Sequence, residues 1–196
     1  MSEIKVNLPK TKLAMKANLP NKEPDILKYW DTINLYELQK QTFSKREKFI
    51  LHDGPPYANG DIHIGTALNK VLKDIVVKFQ SVGLQKYSPY VPGWDCHGLP
   101  IEWKIEELNK KKGVDKTKLS VNEFRGQCRD FASKWIDIQK NQFKRLGVIG
   151  DWENYYSTMS NEAEAIIAKE ILKFLKNGGL YNCLLYTSDA ADEEDS

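Results

Sequence analysis

The sequence predicts an α/β protein in which parallel strands alternate with crossover helices, behind a helical N-terminal extension. Short apolar runs at residues 48–52 and 87–91 each stop at proline or glycine, which is typical of buried strands. A helical pattern follows each run, and this order predicts a right-handed parallel crossover. With 196 residues, 41% of them hydrophobic, the chain has enough apolar material for one core or two small ones.

The first element is the extension, which we assign to residues 1–48. Apolar and aromatic residues recur at helical spacing over residues 28–41. Pro20 and Pro24 precede this stretch, and we interpret them as a helix breaker. The α/β unit is then expected to cover residues 49–182.

Four helices are predicted within the α/β unit. A 3.6-residue apolar stripe over residues 64–79 predicts a helix that ends near Gly83, and a charged helix is expected at residues 100–112. A third, long amphipathic helix extends from Ser120 to Gly147, and its first residues have the S-x-x-E form of a capping box. The fourth is predicted over residues 160–177.

Three tryptophans, Trp94, Trp135 and Trp152, could serve for base stacking, but their placement in helices or at strand ends favours core packing. No apolar run is long enough to span a membrane, and the N-terminus lacks the apolar stretch of a signal peptide. A cytoplasmic location is therefore expected. The cysteines are few and widely spaced, so we expect reduced thiols and no metal site.

The chemistry is expected in the loop between the first strand and the helix after it, residues 54–66. Unpaired backbone N–H groups at a helix N-terminus attract anions, and this loop lies where open α/β folds bind phosphates. Gly65 allows close approach to the backbone, and His63 can donate a hydrogen bond to a phosphate. Alternatively, His63 is a helix cap. The loop matches neither a Walker A motif nor a G-x-G-x-x-G fingerprint.

Longer blocks carry a family resemblance. GPPYANGDIHIGTALNK at residues 54–70 and YVPGWDCHGLPIE at residues 90–102 resemble the signatures of class I aminoacyl-tRNA synthetases, in particular their isoleucine-specific branch. The resemblance implies that residues 49–182 form the first half of a Rossmann-type catalytic domain. One position departs from the family pattern, because Thr66 stands where the second histidine of the H-I-G-H motif usually lies. A threonine hydroxyl can donate a hydrogen bond but carries no charge.

The resemblance also implies the reaction and its site. Isoleucine is activated by ATP, with Mg2+ accompanying the nucleotide, and is then transferred to tRNA(Ile). The expected catalytic residues are His63 and Thr66. The residues expected on the ATP side are Asn59, Gly60, His63, Gly65 and Thr66, and those expected to bind isoleucine are Gly54, Pro55 and Asp95. Asp95 would hold the substrate ammonium, although a loop-capping carboxylate is an alternative. The full-length enzyme is expected to be a monomer.

Residues 183–196 resemble a translated sequencing adapter, and we expect a non-native acidic tail there rather than a natural flexible one. They contain five acidic and no basic residues, so the +2 net charge of the chain becomes +7 over residues 1–182. The higher value is compatible with tRNA binding.

Three hypotheses follow for the chain as a whole. The first is a ligase cut after the first half of its catalytic fold, which would be inactive alone because the rest of the ATP site is missing. The second is a truncated paralogue that binds tRNA or regulates another protein. The third is a small nucleotidyltransferase, which leaves the block at residues 90–102 unexplained. The first explains the most residues.

Overall fold

The computed structural model describes residues 16–114 and 119–182. These residues contain six α-helices and one pair of short parallel strands. The predicted tail lies outside this described part, and so does the start of the predicted extension.

The N-terminal extension contains two helices, α1 (Leu19–Thr32) and α2 (Leu35–Phe43). The interpretation of Pro20 and Pro24 as a breaker is wrong, because both prolines lie inside α1. Pro20 falls in the first turn, where a missing N–H has no intrahelical partner to lose. The break comes later, at Asn34, whose positive φ of 45° ends the first helical path before α2 starts.

The two predicted strands do not form as regular strands. Residues 48–52 and 87–91 meet only through a single parallel bridge between Lys48 and Tyr87. The regular pair forms later, where β1 (Gly93–Trp94) runs parallel to β2 (Tyr156–Ser157), a strand the pattern did not predict. Prolines interrupt the ladder because they lack the N–H that each rung requires. The parallel arrangement was predicted correctly and the strand boundaries were not.

The helices that follow the strand segments agree closely with their patterns. Helix α3 (Ile64–Lys78) continues into a π-helical turn, Phe79–Gly83, which ends at the predicted glycine. Helix α4 (Leu99–Lys111) matches the predicted charged helix.

Helix α5 (Val121–Arg145) is the longest element and starts with the predicted capping box. The Ser120 hydroxyl accepts from the Glu123 backbone N–H, and the Glu123 carboxylate accepts from the Ser120 N–H. Helix α6 (Asn161–Lys176) is capped by the Ser160 hydroxyl in a similar way, through the N–H of Ala163.

The core is formed by residues of β1, of helices α3, α4 and α5, and of the loops around them. Its largest members include Tyr90, Trp94 and Phe143, all fully buried. The Trp152 ring stacks on Phe143, and Trp135 packs at the edge of the same cluster. Core packing of the three tryptophans is therefore confirmed.

Apolar side chains on α3 and α6 remain exposed. On α3 they form a stripe at helical spacing, and Ile64 and Leu68 are 85% and 57% exposed. On α6 they include Ile171 and Leu175. Among the described helices, none combines the length and apolar character needed to cross a membrane.

The close approach of β1 and β2 requires a glycine at position 93. A Cβ built on Gly93 would lie 2.1 Å from ring atoms of Tyr156. We expect Gly93→Ala to lower the free energy of unfolding by about 1–3 kcal/mol through overpacking. Gly126→Ala is the matched control, because a Cβ there meets no atom within 4 Å and α5 gains about 0.5–1 kcal/mol of helix propensity. Urea unfolding of both variants checks this, and equal midpoints would contradict it.

Candidate functional site

The glycine-rich loop lies directly beside Asp95, the residue that follows β1. Tyr57 and Asp95 form a parallel bridge, in which the Ala58 N–H donates to the Asp95 carbonyl at 3.0 Å. The Asp95 N–H donates in turn to the Pro56 carbonyl at 2.9 Å. Pairing of the backbone therefore places the loop against the segment that the sequence predicts to bind the substrate ammonium.

His63 forms the N-cap of α3. Its Nδ1 accepts from the backbone N–H of Gly65 at 3.1 Å and from that of Thr66 at 3.4 Å. A Cβ on Gly65 would lie 3.0–3.1 Å from the His63 ring, so a glycine there leaves room for this cap. The alternative of a capping histidine is thus what the structure shows. The sequence analysis expected unpaired N–H groups at this helix start, whereas those of Gly65 and Thr66 are paired with the His63 ring.

The cap determines what the imidazole can do on its outer side. Because Nδ1 accepts two hydrogen bonds, a neutral His63 carries its proton on Nε2. His63 is exposed, and Nε2 makes no hydrogen bond to any described residue. The ring therefore offers one outward N–H donor. The Thr66 hydroxyl likewise has no partner among residues 16–114 and 119–182.

Asp95 is half-buried and holds its own loop with one carboxylate oxygen. Oδ1 accepts from the His97 N–H at 3.2 Å and from the Thr158 hydroxyl at 3.4 Å. Oδ2 makes no hydrogen bond to a described residue. Loop capping and ligand binding are therefore compatible at Asp95, because each uses a different oxygen.

The remaining predicted residues lie along the same loop. The Gly54 carbonyl accepts from the Lys73 ammonium at 3.4 Å, and Pro55 is half-buried beside it. Asn59 is exposed at the tip. The Gly60 carbonyl accepts from the Gln139 side chain at 2.7 Å. No hydrogen bond or ion pair joins the His63 cap to Asp95 in the described part of the chain, so the loop backbone connects them.

A buried charge cluster beneath the loop was missed by the sequence analysis. Asp53 is 2% exposed and forms ion pairs with Lys70 and Lys73. The Lys73 Nζ lies 2.7 Å from the Asp53 Oδ1. Lys70 also donates to the Tyr90 hydroxyl at 3.0 Å, and the Gly93 N–H donates to Asp53 at 3.0 Å. The cluster thus joins the start of the loop to α3 and to β1. Two lysines three residues apart in an apolar helix stripe were the available signal.

Burial and ion pairing have opposite effects on the pKa values of the residues in this cluster. Burial by itself raises the pKa of the Asp53 carboxyl, but the Lys70 charge and hydrogen bonds from both lysines and Gly93 more than offset it, so the pKa is lowered overall. Burial also lowers the pKa of Lys70, against the opposing effect of Asp53. The ionised form of Asp53 is stabilised by three donors, which are the ammonium groups of Lys70 and Lys73 and the Gly93 N–H.

Two glutamines on α5 hold the middle of the loop and were also missed. Gln139 contacts residues 57, 60 and 94, and Gln142 contacts residues 61 and 62. The only signal for them in the sequence was their spacing of three residues, which places both glutamines on one face of α5.

No group of three or more His, Cys, Asp or Glu side chains is arranged for a metal within residues 16–114 and 119–182. Cys96 and Cys128 are free thiols.

Parallel pairing, a crossover helix and a glycine-rich loop at its N-terminus define the class of this protein as a Rossmann-type α/β protein, with the loop where such folds bind nucleotides. A solved structure with the same fold is the Agrobacterium radiobacter K84 agnB2 LeuRS, described as a ternary complex with tRNA and LeuAMS. It aligns with a TM-score of 0.61 and 22% identity, over 83% of this chain and 18% of that chain. The predicted fold class is confirmed.

The profile of the family described as tRNA synthetases class I (I, L, M and V) matches residues 25–186, and the chain belongs to that family. Curated relatives include the isoleucine-tRNA ligase of Pelagibacter ubique, 64% identical over 181 residues, which are 92% of this chain and 20% of that protein. The enzyme of the same name from Bradyrhizobium diazoefficiens is 58% identical over 179 residues, or 89% of this chain and 18% of that one. The chain thus spans about a fifth of these relatives' length.

Proposed function

We propose that this chain is the part of an isoleucine-tRNA ligase that binds isoleucine and ATP for formation of isoleucyl adenylate. The observation that carries the proposal is the 64% identity to the Pelagibacter isoleucine-tRNA ligase over almost the whole chain. The arrangement of the loop beside Asp95 supports it, because the reaction needs an ammonium-binding carboxylate next to a phosphate-binding loop.

On the amino-acid side, Asp95 is assigned to the substrate ammonium. Its Oδ2 is free for a charge-assisted hydrogen bond, while Oδ1 keeps the carboxylate oriented through His97 and Thr158. Gly54 and Pro55 form one wall of the pocket for the isoleucine side chain. Asp53 beneath them keeps this wall in place through Lys70.

On the ATP side, the proposed groups are the Nε2–H of His63, the Thr66 hydroxyl and the loop around Asn59 and Gly60. Mg2+ accompanies ATP as part of the substrate. The isoleucine carboxylate attacks the α-phosphate, and negative charge shifts to the leaving pyrophosphate. His63, oriented by the two hydrogen bonds of its cap, would direct one donor to the place where this charge develops, and Gly65 leaves space beside it.

The second step, transfer to tRNA(Ile), requires a polyanionic partner. The +7 formal charge of residues 1–182 favours such a partner through long-range attraction. A monomeric full-length enzyme in the cytoplasm is the form in which we propose that this chain works. The alternative of a small nucleotidyltransferase has no support from the comparisons.

The proposal is tested with a chimera in which residues 1–182 replace the matching segment of the Pelagibacter enzyme. We expect this full-length chimera to catalyse isoleucine-dependent exchange of pyrophosphate into ATP, with valine and leucine at least about tenfold less effective. The 196-residue chain alone is expected to give no exchange above background, because it spans only about a fifth of its relatives. A well-folded chimera without exchange would refute the proposal.

A further inference from the structure

We propose that Gln139 is a positioning residue that aligns the ATP-side loop with the strand leading to Asp95. The inference rests on the proposed function and adds a residue from α5, a helix that contributes none of the predicted substrate contacts. Gln139 is 3% exposed, so its carboxamide is shielded from water.

The carboxamide uses both of its N–H donors and its oxygen. Nε2 donates to the Tyr57 carbonyl at 3.0 Å and to the Gly60 carbonyl at 2.7 Å. Oε1 accepts from the Trp94 indole Nε1–H at 3.0 Å. One rigid, planar group thus binds both sides of a turn and the residue before Asp95.

The loop depends on these contacts because its own backbone supplies few. Residues 59–62 make no backbone-to-backbone hydrogen bond with any residue in the described ranges, whereas Ala58 and Ala67 on either side do. Gln142 assists one turn later, where it accepts from the Ile62 N–H at 3.0 Å and donates to Asp61 at 2.6 Å. Side chains of α5 therefore hold the segment that leads into His63.

Loss of Gln139 is expected to affect ATP more than isoleucine. Asp95 remains placed by its backbone pairing with residues 56–58 and by β2. Residues 59 and 60 have no such backbone pairing with any described residue, so the Gly60 carbonyl and the start of α3 become misaligned when Gln139 is lost. Misplacement by about 1 Å costs on the order of 10²-fold in rate.

The test uses the full-length chimera and three single substitutions. Gln139→Met removes all three hydrogen bonds at similar volume. Gln139→Glu keeps the acceptor for Trp94 but loses both donors to the loop. Gln127→Met is the control, because Gln127 lies on the same helix, is half-buried and, among the described residues, accepts a single hydrogen bond, from Asn109 of α4 at 2.7 Å.

For both Gln139 variants we expect kcat/KM for ATP in pyrophosphate exchange to fall by about 30-fold. The dissociation constant for isoleucine without ATP is expected to stay within about twofold. Gln127→Met is expected to shift thermal stability without changing either kinetic value. Amide hydrogen exchange should quicken at Ala58 and Ile62, whose N–H groups are hydrogen-bonded on either side of the turn, in the Gln139 variants and not in the control.

The inference is overturned if Gln139→Met keeps kcat/KM for ATP within about twofold of the unmodified chimera, or if Gln127→Met loses as much. If the methionine variant does not fold, the glutamate variant is judged by the same limits. Absence of exchange in the unmodified chimera would instead count against the proposed function, so the two failures are distinguishable.

Discussion

Replacement of Lys70 by methionine is expected to lower the free energy of unfolding by about 3 kcal/mol at pH 7. Both Lys70 and Asp53 are essentially inaccessible to water, and removal of one partner of such a pair leaves a buried charge poorly compensated. Lys73 and the Gly93 N–H remain on Asp53, so the loss lies at the lower end of the usual 3–5 kcal/mol. Urea unfolding of the chain measures it.

The pH dependence of this loss identifies its cause. In the native protein the pKa of Asp53 is lowered, so its stabilising contribution is present above the unfolded pKa of about 4 and disappears as pH falls through the native value. In the methionine variant, protonation of Asp53 relieves the poorly compensated charge. The stability difference between the two proteins should therefore shrink as pH falls below about 4.

The matched control is Lys173→Met on α6. Its partner Glu170 lies at 2.6 Å, but both side chains are more than half exposed, and surface pairs of this kind contribute about 0.3–0.5 kcal/mol. A loss for Lys70→Met no greater than that for Lys173→Met would show that the buried cluster does not hold the loop.

A second large effect is expected from separate substitutions at Asp95 and His63 in the full-length chimera. Asp95→Asn keeps an oxygen that can accept from His97 but removes the negative charge, and the KM for isoleucine should rise by about 100-fold. His63→Asn keeps a helix cap but loses the outward Nε2–H donor. The kcat of adenylate formation should then fall by about 10²–10³-fold, with the isoleucine KM within about threefold.

Measurements of folding stability distinguish the role of His63 as a helix cap from its role as an outward donor. His63→Ala removes the cap as well as the donor, so it should also lower the free energy of unfolding by about 1 kcal/mol. The asparagine variant keeps a cap and should not lose this stability. Pyrophosphate exchange and urea unfolding on the same samples check both effects. Unchanged exchange kinetics in either the Asp95 or the His63 variant would remove that residue from the site.

Much of the helical structure follows from local sequence. The Ser120 capping box, the apolar period of α3 and the glycines that follow α3 and α5 all act within a few residues, so their patterns predicted helix positions well. Strands were less predictable, because a ladder depends on partners far along the chain and on where prolines interrupt it. Tyr156, which completes the pair with Gly93, lies 63 positions later.

The sequence by itself determined the family and the position of the candidate loop, because long signature blocks are recognised without information on tertiary contacts. It left open whether His63 caps the helix or faces a ligand, and only the folded structure showed that Nδ1 caps while Nε2 remains free. Tertiary structure alone also assigned partners to Asp53 and Gln139. The hydrogen bonds of these two side chains join residues 17 to 82 positions apart, and no periodic pattern encodes which side chains meet when distant elements pack.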